Sequence, residues 1–325
     1  MPTISRVVIG IDLNDPALNA ERWVASYVSP DAELVLVHVV EVPPTPAFLR
    51  RLYAPAPALL DAARLGGETR LRAMSLAFGQ RRIWLETRIG DPATEIAEVA
   101  REYGADLIVV GRHGLGVGSW GRIGRNSDRL LRQAPVPVLL AFGAPVGAPR
   151  RVLVALDDGP DAGRIAEWAG AVLPADAERL TAIHVLSNAV LSHMLSMAAT
   201  RAPGDVFDDA RVREELRGEA LKWLDRLIDG SASPEVRASL VVFGDPATEI
   251  LSAAEQGGAD LIVVGTRGAG RVRQAIMGSV ARDVLRGATR PVLVVGGSED
   301  TIVESGAGAV GAALSSRRAA AVTER

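Results

Sequence analysis

Cysteine is absent from the 325-residue chain, and lysine occurs once, at Lys222. The first absence excludes a disulfide framework, a cysteine zinc cluster and a thiol nucleophile, and it agrees with a reducing compartment. The second excludes a Walker A loop, which places Lys directly after Gly, and every catalytic lysine other than Lys222. An imbalance of charge is also lacking. The 36 basic residues against 39 acidic ones leave a net charge of −3, so no global field recruits nucleic acid or an anionic membrane. Any anion site therefore has to be local. Apolar runs such as 35–40 and 261–264 fall far short of the roughly 20 residues a membrane span needs. The first residues, Met1-Pro2-Thr3-Ile4-Ser5-Arg6, lack the basic start, apolar core and cleavage site of a signal peptide. The expectation is a cytoplasmic protein with neither a nucleic-acid nor a membrane partner.

What the chain has is ordinary globular composition, 48% hydrophobic and 23% charged, and a length of about two domains. It also has an internal duplication. Gly90-Asp91-Pro92-Ala93-Thr94-Glu95-Ile96 returns unchanged at 244–250, and Gly104-Ala105-Asp106-Leu107-Ile108-Val109-Val110-Gly111 returns at 258–265, both 154 positions further on. Asp12 and Asp157 stand 145 apart and His38 and His184 146 apart, which places a short insertion between the second and third strands of the second half. A period near 150 is a duplicated domain rather than a solenoid unit.

Each half alternates strand-like and helix-like segments. Strands are predicted at 6–11, 33–40, 82–89, 106–110 and 137–142, and again at 151–156, 179–185, 236–243, 260–264 and 291–295. Most are short runs of Val, Ile and Leu without alternation, as suits strands buried on both faces of a parallel sheet. Between them, sets such as Ile165, Trp168 and Val172, or Leu221, Leu224 and Ile228, recur at helical spacing as core-facing stripes. The fold class is α/β, two tandem doubly wound five-stranded parallel-sheet domains. The small-residue and proline stretch 143–149 sets the boundaries at 1–146 and 147–296, with 297–325 as a mobile tail.

In such sheets a ligand sits beyond the carboxyl ends of the strands, where the strand order reverses. The fourth strand of the second half is followed there by Gly265-Thr266-Arg267-Gly268, nine further residues, then Gly278-Ser279-Val280 at the start of a helix. Glycines admit close approach of backbone amides to phosphate, and a helix start adds unpaired amides and the positive end of the helix dipole. Arg267, Arg271 and Arg273 add positive charge. Set against this, a glycine-rich surface loop can serve only its own turns.

The pattern Gly-x-x-Gly, nine residues, Gly-Ser, then a Pro-Val-Leu-Val-Val strand resembles the nucleotide-binding motif of the universal stress protein family, over about 4–142 and 150–296. The resemblance implies a tandem member with ATP as its cofactor, a sheet order of 3-2-1-4-5 in each domain, and a fold of the adenine nucleotide alpha hydrolase type. It implies a triphosphate held by Gly265, Gly268, Gly278, Ser279 and Val280, and adenosine lined by Asp157 and Val185. The matching positions in the first half are Asp12, Val39, Gly111, Gly114 and Gly124, but Arg125 stands where the motif has Ser or Thr. Its guanidinium either grips a phosphate directly or fills the pocket, and nucleotide binding in the first half stays open. The resemblance also implies that the two fifth strands pair across a pseudo-two-fold, with Pro135 and Pro137 near that seam. Dimerisation of the tandem chain and an unidentified protein partner remain open.

Several residues carry a structural alternative. Asp12 and Asp157 suit a turn or helix cap as well as a site. Asp91 and Asp245, each followed by Pro, are explained as helix N-caps. His38 and His184 close buried strands and are expected to be packed, His113 is as well solvated as bound to phosphate, and His193 has no partner at metal-ligand spacing. Three functions follow: a nucleotide-dependent regulator of the stress response, a slow ATPase in which Mg²⁺ beside Asp157 orients a water, and a nucleotide-free scaffold.

Overall fold

A computed structural model of the chain describes residues 2–13, 28–42, 57–111, 123–141, 147–189, 191–193, 196, 209–229, 237–266 and 277–296. The proposed linker falls partly, and the tail wholly, outside the described residues, as do Gly114, His113, Gly268, Arg267, Arg271 and Arg273.

Uninterrupted aliphatic runs form the inner strands because both of their faces can be buried. In the first half these are β1 (Arg6–Gly10), β2 (Glu33–Glu41), β3 (Ile83–Gly90), β4 (Leu107–Gly111) and β5 (Val138–Ala141), with helices α1 (Pro57–Ser75), α2 (Pro92–Glu102) and α3 (Arg125–Gln133) between them. The second half repeats the pattern as β6 (Arg151–Ala155), α4 (Ala162–Ala171), β7 (Arg179–Ser187), α5 (Asp209–Ile228), β8 (Arg237–Gly244), α6 (Pro246–Gln256), β9 (Leu261–Gly265), α7 (Ser279–Gly287) and β10 (Val292–Val295). The predicted strands are present within one or two residues of their expected ends. The helical stripes face inward as their spacing requires: Ile165, Trp168, Val172, Leu224 and Ile228 are all buried.

All ten strands lie in one sheet, in the order β3-β2-β1-β4-β5-β10-β9-β6-β7-β8. Each half keeps the order 3-2-1-4-5. The strands run parallel except at the seam, where β5 and β10 pair antiparallel with Leu139 opposite Leu293. Pro137 lies immediately before β5, a place where a residue without an N–H costs no ladder bond. Both seam strands are buried along their whole length. The two apolar layers, one on each face of the sheet, run through both halves: Leu139 and Leu293 belong to one, Leu140 and Val292 to the other.

The repeated octapeptide has a backbone function. Gly104 and Gly258 leave their helices at φ of 59° and 60°, in the left-handed region that favours glycine. Two residues on, an Asp fastens the central strand. Asp106 Oδ2 accepts from Ser5 N, Ser5 Oγ and Arg6 N at 2.7–2.8 Å, and Asp260 Oδ2 accepts from Arg150 N and Arg151 N at 3.1 and 2.9 Å. The heptapeptide is a helix start, as its sequence predicts. Asp91 and Asp245 cap α2 and α6 by accepting from Thr94 N and Thr248 N at 3.2 and 3.0 Å, with Pro at the first helical position.

Two outcomes follow. Asp106→Ala strips the entry to β1 of its acceptor, and water can replace it only in part. Urea unfolding should show a loss of about 1–2 kcal/mol. Glu33 accepts from Arg6 at 2.7 Å and from Arg82 at 3.3 Å, and the Arg6 hydrogen bond above all holds its carboxyl below the usual 4.5. A depressed carboxyl stabilises the fold above its unfolded value, and that contribution is lost as pH falls through the folded value. The stability difference between the parent and Glu33→Gln is therefore full at neutral pH and vanishes in acid, a trend thermal melts at stepped pH will show.

Candidate functional site

At the carboxyl ends of the strands, where the order reverses between β1 and β4 and again between β6 and β9, each half opens a cavity, about 870 Å³ in the first half and about 570 Å³ in the second. Both fall in the size range of small-ligand sites.

In the second half the wall begins where β6 ends. Leu156 N donates to Ile183 O at 2.9 Å, and His184 Nδ1 lies 2.8 Å from Leu156 O. A carbonyl oxygen can only accept, so Nδ1 carries the proton and the ring's tautomer is set. Trp223 of α5 packs edge-on against that ring, 5.2 Å between centroids. The next residue, Asp157, accepts from Gly159 N at 3.2 Å through Oδ1, so it makes the turn and still lines the cavity. The turn and site readings of Asp157 are thus compatible. Val185, Ile250 and Val264 give the cavity its apolar wall.

The opposite rim is the start of α7. Thr266 N donates to Val295 O at 3.0 Å and Gly278 N to Thr266 O at 2.7 Å, which brings the end of the loop back beside Gly265. Gly278 is the N-cap and supplies no side-chain cap, so the first amides of α7, beginning at Ser279, have no acceptor within their own helix. Of the residues singled out from sequence, Asp157, Val185, Gly265, Gly278, Ser279 and Val280 line this one cavity. Gly268 lies outside the described residues.

The first half repeats the scaffold with other side chains. Ile11 N donates to Val37 O at 2.8 Å, and His38 Nδ1 donates to Ile11 O at 3.0 Å. Gly67 of α1 packs directly on that imidazole: a Cβ there would stand 2.9 Å from His38 Cδ2. Asp12, Val39, Gly111, Gly124 and Arg125 line the cavity, and Gly114 lies outside the described residues. Arg125 is the exposed first residue of α3, whose N-cap Gly124 also brings no side-chain cap. Two residues later the buried Ser127 donates from Oγ to Gly111 O at 3.0 Å, joining the end of β4 to the first turn of α3.

Two features escaped the sequence. The histidines are packed, as expected, but they also fix the backbone from which Asp12 and Asp157 project. Their equal placement one residue before Val39 and Val185 was the available signal. Arg70 and Glu41 line the first cavity, and Met277 and Arg282 the second. No local pattern marks these four. Among the described residues no group of three or more His, Asp or Glu is placed to hold a metal. No described helix is long and apolar enough to cross a membrane.

The sequence model of the universal stress protein family matches residues 3–141 and 149–296. Universal stress protein Rv2623 of Mycobacterium tuberculosis is 30% identical over 311 residues, covering 89% of this chain and 95% of its own. Among solved structures, a universal stress protein from Archaeoglobus fulgidus superposes with a TM-score of 0.62 at 23% identity, covering 92% of this chain and 98% of its own. A further Archaeoglobus fulgidus member, described in complex with dAMP, covers 45% of this chain and 96% of its own, at 21% identity and a TM-score of 0.31. With both of its halves matched, the chain belongs to the universal stress protein family.

Proposed function

We propose that the second-half cavity binds an adenine nucleotide, ATP, and that the protein acts as a nucleotide-dependent regulator of the stress response, built as domains 1–146 and 147–296. One observation carries this reading: a single cavity joins a carboxylate at the end of β6 to an uncapped helix start at α7, with apolar side chains between them. Those three surfaces match the three parts of a nucleotide. The apolar wall at Val185 and Ile250 receives the base. Asp157, which keeps acceptor capacity beyond its bond from Gly159, receives ribose hydroxyls. The amides of α7 and the Ser279 hydroxyl receive phosphate.

Among the described residues the lining offers no nucleophile paired with a base, the arrangement that activates a serine, so Ser279 is assigned to binding. Mg²⁺ would arrive with the triphosphate, since it is commonly held by one or two carboxylates and the phosphates together, and Asp157 is the carboxylate at hand. The metal would neutralise phosphate charge. A slow ATPase is the second reading, because Asp157 and the phosphate end of the cavity share one enclosure.

Titration of ATP into the purified protein should show binding that Asp157→Ala weakens about tenfold or more and Ser279→Ala by a smaller factor, as loss of hydrogen bonds to charged groups of about 1.5–3 kcal/mol implies for the first. Unchanged affinity in both variants contradicts the site. At saturating ATP and Mg²⁺ the regulator gives no sustained phosphate release. Steady release that Asp157→Ala removes at saturation favours the ATPase instead.

A further inference from the structure

The two cavities share one scaffold but not one chemistry. Where Ser279 opens α7, Arg125 opens α3. The helices that cover the two histidines differ as well. In the second half α5 sets the Trp223 ring against His184, whereas in the first half α1 sets Gly67 against His38 and, one turn later, Arg70 into the lining of the cavity. The first cavity is also the larger, about 870 Å³ against about 570 Å³.

Arg70 and Arg125 are exposed, and among the described residues neither is ion-paired or hydrogen-bonded. Other arginines on the same two helices are paired: Arg129 with Asp91 and Arg132 with Asp128 on α3, and Arg64 with Glu68 on α1. The topology places the two arginines on separate elements. Helix α1 packs on β2 and β3, while α3 follows β4, so the two helices stand on opposite sides of β1. With adjacent strands about 4.8 Å apart, β2 and β4 are roughly 10 Å apart, and Arg70 and Arg125 reach the one cavity from different helices. The carboxylates in the same lining, Asp12 and Glu41, are acceptors, suited to sugar hydroxyls and ring N–H groups and not to a second phosphate.

We infer that the first-half cavity is selective for a nucleotide carrying anionic groups at two separated positions. Arg125 and the start of α3 hold one anion, and Arg70 holds the other. This rests on the reading of these cavities as nucleotide sites and assigns the first a ligand class different from that of the second. Guanidinium suits the task because its planar fork donates two parallel hydrogen bonds to phosphate oxygens.

Calorimetric titration with adenosine 3′,5′-bisphosphate, with AMP and ATP as comparators, tests the inference on the full chain. The bisphosphate should bind at least tenfold more tightly than AMP. Arg70→Gln should erase that advantage while leaving AMP affinity and the ATP site of the second half unchanged, and Arg125→Ser should weaken the bisphosphate and AMP together. Both side chains are exposed, and thermal unfolding of each variant verifies its fold. A bisphosphate that binds no better than AMP, or an advantage that survives Arg70→Gln, overturns the inference. If ATP binds the second cavity normally in that same experiment, only this inference falls; if no nucleotide binds at all, the reading of the second cavity falls with it.

Discussion

The reversal of strand order beside β1, and again beside β6, is the constraint on which the rest depends. Chain segments leaving neighbouring strands must depart to opposite sides at that point, so a crevice opens there that no side chain of the sheet itself can fill. Everything assigned to function borders that crevice. The aspartate lies just beyond the central strand, the valine on the second strand, and the glycine and helix start follow the fourth. The histidine of the second strand makes the arrangement definite, because its donated hydrogen bond fixes the carbonyl immediately before the aspartate.

Order at the other end of the sheet serves the same purpose. Asp106 and Asp260 hold the entry to the central strands, while at the carboxyl end Asp91 and Asp245 cap the helices whose first turns line the cavities. The repeated peptides that make the duplication visible are therefore mostly scaffold. The residues that distinguish the two cavities lie outside them. The antiparallel pair of β5 and β10 then ties both scaffolds into a single sheet with shared apolar layers, so both cavities open on one continuous sheet.

The fold was legible for physical reasons. Buried parallel strands have to be aliphatic throughout, which made Leu107–Gly111 and Leu261–Gly265 plain. Proline after aspartate marks a helix start, which made 91–92 and 245–246 plain. The candidate site was legible where chain position alone places a residue at the carboxyl ends of the strands: Asp157 just after β6, Gly265 at the end of β9 and Gly278 at the start of α7. It was not legible where a side chain enters the cavity from a distant element. Arg70 sits on an exposed, polar stretch of α1 like any solvated arginine, and only the packing of Gly67 on His38 shows that this face of the helix reaches the cavity. Near-absence of lysine, which excludes the commonest phosphate loop, is consistent with the proposed anion sites, which use backbone amides, a serine and guanidiniums instead.

A structure of the protein crystallised with ATP tests the central claim most directly. The account predicts phosphate oxygens at the start of α7 beside Ser279, ribose within reach of Asp157, and the base against Val185. A second-half cavity left empty at saturating ATP, or a nucleotide bound away from the end of β6, would contradict it.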